Sequence, residues 1–158
     1  MKNLLIKVAA VASLALPAVT ASAASWSYPN YGTYDHEGEY PNGNHACGGG
    51  FGWSQPVPEK KLAFAGRTYT IRLCYSDNYG AYARLDGAAK NDTRCVAVLH
   101  RSNTASTGNY ASVWESVDGN VTYAYTKVGN NLEGRLARAE MVCDGGKPSQ
   151  KIVRTAWY

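Results

Sequence analysis

Three histidines, twelve carboxylates and four cysteines are the side chains of this 158-residue chain whose types could catalyse, hold a metal or cross-link. A hydrolase needs a nucleophile, a base and an orienting group that converge in space. No serine sits in a Gly-x-Ser-x-Gly elbow. His100 ends the apolar run Cys95–His100 on the face of Val96 and Val98, where a histidine reads as a packed or edge residue. Paired carboxylates would serve glycoside cleavage, yet nothing in the spacing of Glu37, Glu39, Glu115, Glu133 and Glu140 singles out a pair. Asp35-His36-Glu37 with Glu39 and His45 is the densest metal-capable cluster, but it lacks the helical His-Glu-x-x-His spacing and reads as an acidic loop. Gly48-Gly49-Gly50 and Gly52 are not followed by the Lys-Ser/Thr of a phosphate-binding loop and instead permit a bend beside Cys47. These patterns predict no catalytic residue, no metal and no cofactor.

The cysteines are Cys47, Cys74, Cys95 and Cys143. None forms a Cys-x-x-Cys pair, and spacings of 27, 21 and 48 residues do not resemble a zinc site. An even count in a small exported chain reads as two disulfides, with three possible connectivities. Compactness favours Cys74–Cys95, which closes a local unit, with Cys47–Cys143 tying the start of the domain to its end.

The aromatic residues are the more suggestive binding groups. Trp26, Tyr28, Tyr31, Tyr34 and Tyr40 crowd a segment with little aliphatic content to bury them. Rings on a polar surface offer apolar area and a polar edge at low entropy cost, suited to sugar faces or other proteins. The alternative is that this arm folds back and seals the body.

These residues must be positioned by short strands. Lys2 and Lys7 precede an apolar run from Val8 to Ala18, and Ala21-Ser22-Ala23 supplies the small residues of a signal-peptidase site, so residues 1–23 read as a bacterial export signal. That run is too short for a membrane span. Removing Lys2 and Lys7 leaves 14 basic against 12 acidic residues, which disfavours a nucleic-acid binder. Residues 24–45 form a Tyr/Gly-rich acidic arm, and 46–158 the body; the first basic residue after the signal is Lys60. Tyr69, Ile71, Leu73 and Tyr75 alternate with Thr70, Arg72 and Cys74, a half-buried strand, and Ser76-Asp77-Asn78-Tyr79-Gly80 turns it into a return strand over 81–85. Further strands are expected at 95–100, 111–117, 121–127 and 151–158, and Asp118-Gly119 predicts a hairpin joining the middle two. Leu132–Cys143 favours a helix by composition, but Ala137, Ala139, Met141 and Cys143 alternate with Arg138 and Glu140, so a strand is expected. The fold expected is all-β, a small antiparallel sandwich or barrel of about seven or eight strands with two disulfides.

Ala46-Cys47-Gly48, Gly66–Leu73, Arg94–Val98, Asp118-Gly119 with Tyr123 and Tyr125, and Ala139 leading to Cys143 resemble, in this order, the spore-associated protein A family of small actinomycete exports. The resemblance spans roughly Ala46 to Gly146; Cys74 departs from the pattern. It implies a disulfide-linked, β-rich protein outside the cell or on spore surfaces, with no established enzymatic activity.

The expectation is therefore a non-enzymatic, secreted β-domain at the cell or spore surface that binds wall polysaccharide or a surface protein, without a membrane span. A secreted inhibitor of a protease or glycosidase is the alternative, with Ser102–Asn109 and the arm around Pro41 as reactive loops. A small wall-active hydrolase is a third.

Overall fold

The computed structural model describes residues 38–41, 47, 52–102, 110–129, 131 and 134–158. These hold eight strands: β1 (Lys60–Phe64), β2 (Arg67–Ser76), β3 (Gly80–Asp86), β4 (Cys95–Ser102), β5 (Tyr110–Ser116), β6 (Tyr123–Tyr125), β7 (Ala137–Cys143) and β8 (Lys151–Arg154). They form two four-stranded antiparallel sheets, in the orders β1-β2-β3-β6 and β5-β4-β7-β8. The all-β expectation holds, and the ambiguous 132–143 stretch ends in strand β7.

Period-2 alternation explains the core. Tyr69, Ile71 and Leu73 of β2 and Ala81, Ala83 and Leu85 of β3 point toward Ala97 and Leu99 of β4 and Ala139 and Met141 of β7, forming one buried cluster between the sheets. The Tyr69 hydroxyl donates to Asp92 at 2.7 Å, and Arg94 closes on the same carboxylate at 2.8 and 2.9 Å. The other face of β2 and β3 is covered as well. Trp53 packs against Tyr82 and Tyr79 with ring centroids 4.7 and 5.7 Å apart, over Cys74 and Val128. Burial pushes the Tyr82 hydroxyl up to about 12.

Two expectations are corrected. The disulfides are Cys47–Cys74 and Cys95–Cys143, not Cys74–Cys95 with Cys47–Cys143. Strand alternation is the reason: Cys74 lies between inward-facing Leu73 and its neighbour Tyr75, so it faces away from the inter-sheet core, where the segment carrying Cys47 and Trp53 meets it. Cys95 faces inward with Ala97 and Leu99 and is the direct register partner of Cys143, with Cα atoms 4.0 Å apart.

The second correction concerns Asp118-Gly119. It does not close a hairpin: β5 pairs with β4 and β6 with β3, so the turn carries the chain from one sheet to the other. Each sheet offers a free edge there, and pairing with those edges buries Val113 and Ala124 in the shared core, which outweighs the local turn preference. The Asn91 amide donates to the Gly119 carbonyl at 3.1 Å and holds the turn in place.

Candidate functional site

Because β5 and β6 part instead of pairing, a cleft of about 220 Å³ opens along the edge of the sandwich. Glu115 and Ser116 come from β5, Asp118 from the turn, and Val121, Tyr123, Ala124 and Tyr125 from the chain entering and forming β6; Tyr40 closes it from the arm.

The arm is fixed there by backbone pairing. The Gly38 amide donates to the Val128 carbonyl at 3.0 Å, and the Val128 amide to the Glu39 carbonyl at 2.8 Å. This seats Tyr40 with its ring edge-on to Tyr125, at 6.0 Å and 85°. Its hydroxyl donates to Glu115 Oε1 at 2.9 Å, and Lys127 lies 5.6 Å from its ring centroid. Tyr40 is still 51% exposed. Tyr123 and Tyr125, two residues apart on β6, project to the same side with near-parallel rings 5.9 Å apart, and the Arg84 guanidinium covers Tyr123 at 4.8 Å.

Tyr40 and Tyr125 hold their protons more tightly than a free phenol. Donation to Glu115, then burial, raises the ionisation of Tyr40, and burial followed by the charge of neighbouring Tyr123 raises that of Tyr125. The cleft thus combines three rings, hydroxyls that can donate and accept, and two carboxyl groups. That set suits a neutral, hydroxyl-rich ligand with flat apolar faces.

Of the rings singled out in the sequence, Tyr40 is in this cleft; Trp26, Tyr28, Tyr31 and Tyr34 lie outside the described residues, as do the signal and most of Ser102–Asn109. Pro41 is buried. Tyr123 and Tyr125 were missed because they read as ordinary strand residues; only the failed hairpin makes them line a cleft. Glu115 and Glu140 lie apart, Glu115 at the cleft and Glu140 on the outer face of the same sheet beside His100. Of the metal-capable loop only Glu39 is described, and no group of three His, Cys, Asp or Glu gathers among the described residues. No helix among them is long and apolar enough to cross a membrane. Comparison with known proteins gave no match to a family model, to a curated protein or to a solved structure.

Proposed function

We propose that this protein is an exported binding module that captures a polysaccharide chain of the cell or spore surface in the tyrosine cleft between β5 and β6. The carrying observation is the Tyr40 ring, held by Glu115 against Tyr125 beside the Tyr123–Tyr125 pair. A sugar ring stacks its apolar face on a phenol while Glu115, Asp118 and the phenol hydroxyls take its hydroxyls. Such an interaction needs no nucleophile and no metal. The two disulfides suit an oxidising, extracellular setting, in keeping with the expected export signal and the resemblance to the spore-associated protein A family.

The test is co-sedimentation of the oxidised protein with peptidoglycan, chitin and cellulose, alongside Tyr40→Ala and Tyr123→Ala. Retention on one of these polymers, weakened about tenfold by each substitution at unchanged melting temperature, supports the reading. No retention on any polymer, or equal retention of the variants, overturns it.

A further inference from the structure

The outer face of the β5-β4-β7-β8 sheet carries a second constellation, distant in sequence and brought together by register. His100 on β4 stands opposite Ser112 on β5 and Arg138 on β7; one row along, Val98 stands opposite Trp114 and Glu140. Ser112 Oγ lies 2.6 Å from His100 Nδ1, and Glu140 Oε2 lies 3.2 Å from His100 Nε2. His100 and Glu140 are 7% and 6% exposed, whereas Ser112 is half-buried and reachable.

Each group is held for a reason. Burial alone would raise the Glu140 carboxyl, but the neighbouring His100 imidazole and the hydrogen bond from Arg154 outweigh it and hold the carboxyl below its ordinary range. In the tautomer with its proton on Nε2, toward Glu140 at 3.2 Å, the imidazole turns its Nδ1 lone pair to the Ser112 hydroxyl. The Arg138 guanidinium lies 5.5 Å from the Tyr110 ring and 4.5 Å from the Trp157 ring, and its buried Nε has no hydrogen-bond partner among the described residues. His100 packs on the same Tyr110 ring at 4.9 Å. A cation therefore borders the serine–histidine pair on the His100 side. About 7 Å along the strands, one row away, begins an apolar groove of about 380 Å³ walled by Val96, Val98, Trp114 and Val142.

We infer that Ser112, His100 and Glu140 form an esterase site for carboxylic esters with an apolar portion, independent of the tyrosine cleft. The apolar portion lies in the Val96–Val98–Trp114–Val142 groove and the carbonyl carbon meets Ser112 Oγ. Ser112 attacks that carbon while its proton passes to His100 Nδ1, and Glu140 balances the imidazolium across Nε2. Collapse breaks the ester C–O bond, and the departing alcohol takes the proton from His100. Water then attacks the acyl-serine and gives its proton to Nδ1; the acid leaves, and the proton returns to Ser112. Ester and water become acid and alcohol, with no other reactant.

The experiment uses the oxidised full chain with p-nitrophenyl butyrate and a fluorophosphonate. Turnover, with the phosphonate located on Ser112 by peptide mass, is the expected result. Ser112→Ala should lose at least about 100-fold in rate and all labelling at an unchanged melting temperature. Glu140→Gln should move the acid limb of the pH–rate profile, which a merely structural role would leave in place. Absence of both turnover and labelling, a label on another residue, or turnover that survives Ser112→Ala overturns the assignment. The position of the label on the unmodified protein decides the matter even where a variant fails to fold.

Discussion

The Tyr40 hydroxyl donates to Glu115 Oε1 at 2.9 Å across 75 residues of chain. This one bond ties the acidic arm to β5 and shapes the mouth of the cleft between the two sheets. It also explains why the Tyr40 phenol holds its proton more tightly than a free one: ionisation would set two negative oxygens against each other.

Glu115→Gln removes that charge, so Tyr40 should ionise at lower pH, closer to the ordinary value of 10.0. Spectrophotometric titration of the tyrosinates reads this directly. Because the pair is exposed, the loss of stability should stay within about 1 kcal/mol. An unchanged titration in Glu115→Gln would mean the bond does not form in solution.

Acid sensitivity should trace to Asp92. Hydrogen bonds from Arg94, opposed by burial and helped by the Tyr69 hydroxyl, hold its carboxyl well below the ordinary 3.8. A depressed carboxyl stabilises the fold fully above its unfolded value, and this contribution shrinks as pH falls below about 4. The stability gap between wild type and Asp92→Asn should therefore be constant near neutrality and narrow below that pH in urea melts. Asp92→Ala, which leaves the buried Tyr69 hydroxyl without its acceptor, should cost about 1–3 kcal/mol.

The two disulfides close loops of 27 and 48 residues. Chain entropy assigns them roughly 3.5 and 4 kcal/mol. Cys95 and Cys143 are both fully buried in the inter-sheet core, whereas Cys47 is half-buried outside it. Replacing Cys95 and Cys143 with alanine should lower the thermal midpoint further than replacing Cys47 and Cys74. Non-reducing peptide mapping should recover Cys47 with Cys74 and Cys95 with Cys143.

Gly87, just after β3, has a φ of +89°, and a Cβ there would sit 2.2 Å from the Thr68 carbonyl oxygen. Gly87→Ala must move the backbone of β2, so it should destabilise by at least about 1–3 kcal/mol in denaturant melts. Gly66→Ala, at φ +77° but with open space around the Cβ, should cost less and serves as the control.

Alternation along Tyr69–Tyr75, the turn residues Ser76–Gly80 and the small residues of 137–143 were enough to read an all-β sandwich, because side-chain period and turn chemistry are local properties. Period also determined which face each cysteine takes, but not which segment covers that face. Pairing Cys74 with Cys47 depends on Trp53 and its neighbours folding over the outer side of β2, a contact across 27 residues. Asp118-Gly119 carries a hairpin signal in isolation, and only the free edges of β3 and β4 decide that β5 and β6 go to different sheets. The cleft around Tyr40, Tyr123 and Tyr125 and the meeting of Ser112, His100 and Glu140 follow from that choice of partners and from strand register. Register places residues 12 and 40 positions apart side by side, and it is set by how the buried faces of both sheets fit together, which no short stretch of sequence encodes.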